Sequence, residues 1–370
     1  MNSKVFLKRC DTYEPSNLKN CFEQLFIDFD KTKVKGKKIL IFFDEPTPHE
    51  QVLDLAIKFL IDAGVSKITA GTSVFIHNIP DDILGMFRKN GVEFIDFRFD
   101  NFERLEVPFR KEKTPERSLG FAVLSPVQYA SEKAANKMDC PNIRTLKNVL
   151  VPTAFTESDY IVPVLKMKDS PVFKIGGNVN SMLYFIPTIT RSEVFVNFLK
   201  GHDTESVLEI FNIARNKALF GILDGIKTSI SYDESVNSMN VLMFSEDLLS
   251  LDAMLSVLIG FRSSEVPTNE LGNAFDFGNG ILKRIDIYGD EFEKLRKEAI
   301  KNLRFASSLN RRKSSAPYIN TMDANSIRIA MNFCPTGAII EEDGNFSIDK
   351  NKCIKCNFCL EIANEIFKIS

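Results

Sequence analysis

Residues 34–97 read VKGKKILIFFDEPTPHEQVLDLAIKFLIDAGVSKITAGTSVFIHNIPDDILGMFRKNGVEFIDF, and the period of their apolar residues changes along the stretch. KILIFF, at 38–43, is a continuous apolar run behind one lysine, as expected of a strand covered on both faces. Residues 51–63 are apolar at helical spacing and are followed by Gly64, which suits a left-handed cap. Residues 67–70 return as a strand. Pro80, with Asp81 and Asp82 behind it, opens a second helix, Gly91 ends it, and 92–97 read as strand again. This alternation predicts a largely parallel sheet with right-handed crossovers.

Working outward, 5–8 read as a strand and 16–29 as a helix. A strand at 119–124 and a helix at 126–138 are weaker expectations. Residues 160–165 are strand-like and run into Lys166-Met167-Lys168-Asp169, with a Gly-Gly-Asn turn at 176–178. A helix at 204–216 precedes a buried strand at 218–223 that ends in Asp224-Gly225. Another strand (239–244), a helix beginning with two acids (246–259), a strand (283–288) and a charged helix (291–309) follow. The basic, Ser-rich NRRKSSAP at 310–317 suits an exposed linker. The reading is an α/β domain over 1–309, a linker over 310–317 and a small α+β domain over 318–370.

The smaller part carries Cys353, Cys356 and Cys359 at C-x2-C-x2-C spacing, and Cys334 followed by Pro335. A cubane cluster needs four thiolates; a short spacing wraps three corners, and a Cys-Pro from elsewhere supplies the fourth. In a two-cluster ferredoxin the last Cys of each run ligates the other cluster. Here the slots of a second cluster hold Ala324, Ile327, Ala330 and Ala363, so one ligand set is whole and the other is entirely gone. Gly337 marks a tight turn, and two short strands (338–340 and 346–348) flank Asp343-Gly344, a hairpin signal. Zinc prefers two separated Cys pairs, and a disulfide needs an oxidising compartment. The tail resembles a bacterial-type ferredoxin module reduced to one 4Fe–4S site.

Over residues 3–295 the chain also resembles the uncharacterised family catalogued as domain of unknown function 362, many members of which carry such a module. The match rests on VKGKKILIFF, on DYIVPVLKMK at 159–168, and on ILDGI at 222–226 followed by SEDLLSLDAMLSVLIGF at 245–261. The family's Lys-Pro-Asn after the second strand is here Phe43-Asp44-Glu45-Pro46, and its Thr-His after the paired lysines is Asp169-Ser170. The resemblance implies an α/β fold and names no reaction.

Lys166 and Lys168 sit two apart at a strand end and would share one face. The carboxyl edge of a parallel sheet is where ligands dock, and two ammonium groups there favour a carboxylate or phosphate; the alternative is a solvated strand end. Asp224 either serves the same edge or caps an Asp-Gly turn. Asp247 suits a helix first turn, and Asp252, inside an apolar helix, needs a partner. His49, His77 and His202 show no metal spacing, with His49 expected to be exposed at a helix start. Neither a dinucleotide or phosphate-loop pattern nor a nucleophile elbow is present.

A net charge of −2 argues against a general nucleic-acid surface, and no apolar run reaches membrane-spanning length. The start lacks the apolar core of a secretory signal, and Cys10, Cys21 and Cys140 form no disulfide framework, so a cytoplasmic protein is expected. The 32 phenylalanines suggest codon bias before an aromatic cofactor pocket. The leading expectation is one-electron transfer through a single cluster held by Cys334, Cys353, Cys356 and Cys359. The α/β domain would bind a small ligand or a redox partner protein through Lys166, Lys168 and Asp224. Lys352 and Lys355 would ease reduction, or are ordinary surface charge. A ligand-binding or scaffold protein with a structural cluster, and a non-redox enzyme docked through its ferredoxin module, are the alternatives.

Overall fold

The computed structural model describes residues 2–369 apart from 75–78, 108–145, 147, 171–172, 188–190, 192–193, 195–196, 198–201, 231–232, 291, 303–315, 335, 354–358, 361–362 and 364. The strand and helix expected at 119–124 and 126–138 lie outside the described residues, as do 310–315 of the linker, His77, Cys140, Lys355 and Cys356.

The larger part begins β1 (Ser3–Arg9), α1 (Pro15–Leu25), β2 (Lys38–Phe42), α2 (Glu50–Asp62), β3 (Lys67–Thr72), α3 (Asp81–Lys89) and β4 (Glu93–Asp96). Gly64 and Gly91, just past α2 and α3, have φ of 81° and 68°, the left-handed cap expected there. A separate ribbon pairs β5 (Phe102–Glu106) with β6 (Asn148–Pro152). Then come β7 (Tyr160–Ser170), β8 (Lys174–Gly176), α4 (Asn178–Ser181), α5 (Asp203–Arg215), β9 (Gly221–Ile230), β10 (Asp233–Asn237), β11 (Val241–Ser245), α6 (Leu248–Leu258) and β12 (Ile285–Gly289). The described part of the last charged helix is Phe292–Asn302.

One ten-stranded sheet runs β12-β1-β11-β9-β7-β2-β3-β4, with β10 against β9 and β8 against β7. Five neighbour pairs are parallel, so the α/β, largely parallel expectation holds. β11 runs antiparallel to both β1 and β9, and β8 and β10 are also antiparallel additions. The links between β7 and β8 and from β9 through β10 to β11 are too short for a crossover helix, so those strands must reverse.

Alternation along each strand splits the core between the two faces. Leu40 and Phe42 of β2 pack with Leu165, Met167, Leu223 and the buried face of α6. Ile39, Ile41 and Phe43 pack with Val162, Val164, Ile222, α1 and α2. On the second face Phe26 meets Phe59 and Phe244 at 4.3 Å each, and Phe29 meets Phe220 at 5.1 Å, which gives part of the phenylalanine content a packing role.

Two expected features are corrected. Asp224-Gly225 is no turn: β9 continues to Ile230, and an added Cβ on Gly225 would lie 2.4 Å from Met167 Sδ, so a larger residue there would displace the Met167 side chain. Pro317 belongs not to the linker but to β13 (Pro317–Ile319), as its first residue, where a missing N–H is tolerated.

In the tail β13 pairs with β16 (Phe367–Ile369), and α7 (Ala324–Phe333) precedes the hairpin β14 (Ile339–Glu342) and β15 (Asn345–Ile348). Asp343 and Gly344 have φ of 49° and 78°, the two left-handed residues that a tight hairpin turn takes. The tail has a core of its own, centred on Ile327, Ala330, Ile339, Ile366 and Phe367. Among the described residues no helix is long and apolar enough to cross a membrane.

Candidate functional site

Asp44 follows the carboxyl end of β2, and the parallel strands β7 and β9 run on past that end, so that Lys166, Lys168 and Asp224 lie within strands and not, as the sequence suggested for the lysines, at a strand end. Lys166 and Asp224 are register partners across β7 and β9. Immediately beyond them the pairing slips, so that Lys168 sits opposite Ser229. The two lysines thereby reach different neighbours.

Lys168 is 4% exposed and Asp44 fully buried, and Lys168 Nζ donates to Asp44 Oδ2 at 2.6 Å. It also donates to the Glu45 carbonyl and lies 5.1 Å from the centre of the Tyr184 ring. The Ser181 hydroxyl, at the end of α4, donates to the same Asp44 oxygen at 2.5 Å. Burial pushes the Asp44 carboxyl above the ordinary value, against the pull of Lys168 and Ser181. Asp44 Oδ1 is buried with no hydrogen-bond partner among the described residues. Arg191, 1% exposed, packs on the same Tyr184 ring, with its guanidinium carbon 5.2 Å from the centre, and donates to Ser73 Oγ at 3.0 Å.

Asp224 is also fully buried. The Tyr13 hydroxyl lies 3.0 Å from both of its oxygens, His49 N–H donates to Oδ2 at 3.2 Å and Ile226 N–H to Oδ1 at 3.1 Å. Burial raises its pKa, and the Lys166 charge with these donors opposes the rise. Every hydrogen-bonding neighbour is a donor, so the arrangement fits the ionised carboxylate. His49 is half-buried rather than exposed. It caps α2, with Nδ1 accepting from Gln51 N–H at 3.3 Å, and its ring stacks on Tyr13 at 3.7 Å and 11°. Burial is the main cause that lowers the His49 pKa; Lys166 and Lys227 lower it further while Asp224 opposes them. Lys166 itself is half-buried.

Asp252 lies elsewhere. It accepts from Asn178 N–H at 2.6 Å, from Val179 N–H at 2.9 Å and from Asn178 Nδ2 at 2.9 Å, so it caps α4. Burial pushes its carboxyl up to about 6 against these donors. Asp247 caps α6 through Leu249 and Ser250 N–H. Tyr13, His49 and Asp44 are the site residues that sequence reasoning missed. For Asp44 the signal was present, since it directly follows an apolar strand. Tyr13 precedes α1 in a loop and carried none.

In the tail, Cys334 follows α7 and is half-buried against the small core, together with Cys359. Cys334 Sγ accepts from Ala338 N–H at 3.3 Å and lies 3.6 Å from Thr336 Oγ1. Burial raises the pKa of this thiol, but hydrogen bonds from Thr336, Ala338 and Ile339 outweigh it and the net shift is downward. Donors that favour the thiolate fit a metal-ligating sulfur. Cys353 and Cys359 are half-buried and form no disulfide among the described residues. Among the described residues, which exclude Cys356, no group of three or more His, Cys, Asp or Glu is arranged to hold a metal ion. Of the absent second ligand set, Ile327 and Ala330 are fully buried and Ala363 packs against them. Lys352 forms an exposed pair with Asp349 at 3.9 Å.

No family model matches the chain, and no curated protein does. Among solved structures, the lactate racemase apoprotein from Thermoanaerobacterium thermosaccharolyticum is similar with a TM-score of 0.44 and 10% identity, over 69% of this chain and 57% of that one. A Thermotoga maritima protein solved by a structural genomics consortium is similar with a TM-score of 0.37 and 13% identity, over 61% of this chain and 53% of that one. The chain thus spans little more than half the length of the structures it matches.

Proposed function

We infer that this chain is an iron–sulfur protein that carries single electrons through one 4Fe–4S cluster, with its α/β part binding a small ligand or a redox partner. The observation that carries the reading is the paired pattern of the tail. One complete ligand set, Cys334, Cys353, Cys356 and Cys359, stands beside a second set replaced wholly by apolar residues, two of which are core. Cys334, the ligand farthest along the chain from the other three, is held among N–H donors that favour its thiolate. These four residues would hold the cluster, which when bound supplies a one-electron couple tuned by hydrogen bonds to sulfur and by solvent exposure. A reducing compartment such as the cytoplasm suits such a site. The larger part is read as similar to domain of unknown function 362 on VKGKKILIFF, DYIVPVLKMK and ILDGI.

The test is anaerobic purification, iron and sulfide analysis, and a redox titration followed by EPR. About four irons and four sulfides per chain and a reducible cluster are expected. Stoichiometric zinc with little iron would overturn the cluster. A full cluster that cannot be reduced in the physiological range would make it structural and remove electron transfer.

A further inference from the structure

Lys166 is the cation of this region with no direct side-chain partner among the described residues, its charge reaching buried Asp224 only through space. Lys168, two residues on, is neutralised by Asp44 and buried with it. Lys166 makes no side-chain hydrogen bond or ion pair among the described residues, although it is half-buried within β7, just past the last β2 pairing at Pro163. Its register partner Asp224 is engaged by Tyr13, His49 N–H and Ile226 N–H, and the Tyr13 oxygen in turn accepts from Lys227 N–H at 3.2 Å. Those bonds anchor three separate elements, the loop before α1, the cap of α2 and the middle of β9, around one carboxylate.

The His49 imidazole is equally prepared. Because Nδ1 accepts from Gln51 N–H, the ring proton of the neutral form lies on Nε2. Nε2 has no hydrogen-bond partner among the described residues, and the stack on Tyr13 fixes the plane of the ring. Lys166 is the register partner of Asp224, and the His49 backbone N–H donates to that carboxylate at 3.2 Å, so the ammonium and the imidazole belong to one neighbourhood. A half-buried ammonium beside a held N–H donor suits a group with two or more acceptor oxygens.

We propose that Lys166 and His49, held by Tyr13 and Asp224, bind the carboxylate or phosphate group of a small anionic ligand. Asp224 and Tyr13 are positioning residues: Asp224 holds the His49 backbone N–H, and Tyr13 fixes the plane of the imidazole. The proposal deepens the ligand-binding half of the function above and does not depend on the cluster.

Calorimetric titration of the full chain with inorganic phosphate, and separately with acetate, tests it, with iron measured on the same samples. Saturable binding of at least one anion is expected. Tighter binding of phosphate assigns a phosphorylated ligand, and tighter binding of acetate a carboxylic acid. Lys166→Met and His49→Phe, the latter keeping an aromatic stack on Tyr13, should each weaken binding about tenfold or more, and Lys166→Arg should retain most of it. Iron content should be the same in all of them. Failure of both anions to bind, or unchanged binding in folded Lys166→Met, overturns the proposal. Loss of iron with anion binding intact overturns the cluster instead.

Discussion

Two lysines two residues apart have opposite roles in this fold. Replacing Lys168 with Met leaves a fully buried Asp44 without its counter-ion and should cost about 3–5 kcal/mol. Lys166→Met removes no direct hydrogen bond or ion pair of the described residues, only the pull of its charge on buried Asp224, and should cost less, about 1–2 kcal/mol. Urea denaturation of the two variants checks this, and equal losses would refute the division. Asp252 gives a pH-dependent prediction. Its folded pKa of about 6 lies above the ordinary 3.8, so the folded state holds the proton more tightly than the unfolded chain. Stability from this group is complete below pH 3.8 and is lost as pH rises through 6, by about 3 kcal/mol in all. Relative to Asp252→Asn, the wild type should therefore lose about that much between pH 4 and pH 7. Parallel profiles would mean that the three donors have outweighed burial.

At the scale of elements, the short helix α4 is held by α6. Gly177 precedes α4, and a Cβ there would meet Asp252 Oδ1 at 2.3 Å, so the carboxylate must approach the backbone where only glycine leaves room. Gly177→Ala should cost about 1–3 kcal/mol by displacing that cap. Asp252→Ala should cost about 1–3 kcal/mol by leaving Asn178 and Val179 N–H without their acceptor. In the double variant the clash has lost its target, so the combined loss should fall short of the sum. Strict additivity in a double-mutant cycle would show that Gly177 is needed for another reason. The consequence reaches the sheet edge, because α4 also carries Ser181, whose hydroxyl meets Asp44.

For the molecule as a whole, four of the described cysteines pack in or against two different cores. Cys10 and Cys21 are 1% and 2% exposed in the core of the larger part, where Cys21 Sγ donates to the Arg9 carbonyl at 3.2 Å. Cys334 and Cys359 belong to the core of the tail. Serine at Cys334 should lower iron content as severely as serine at Cys356, although the two are twenty-two residues apart. Serine at Cys10, Cys21 or Cys140 should leave iron per folded chain unchanged. Iron analysis of the series decides it: an essential Cys140 with a dispensable Cys334 would refute the ligand set.

Period and punctuation alone determined the strand–helix alternation from β1 to β4, the caps at Gly64 and Gly91, and the hairpin at Asp343-Gly344. Each of these depends on residues within a few positions of one another. The pattern also selected Lys166 and Asp224, since both follow apolar strand residues. Only the tertiary structure decided that Asp224 is mid-strand, that Lys168 is neutralised by a residue 124 positions earlier, and that Tyr13 and His49 complete the site. Ion pairing and stacking depend on distance in space, and the slip in register beyond Lys166 comes from how β7 and β9 lie together. Local sequence carries neither quantity.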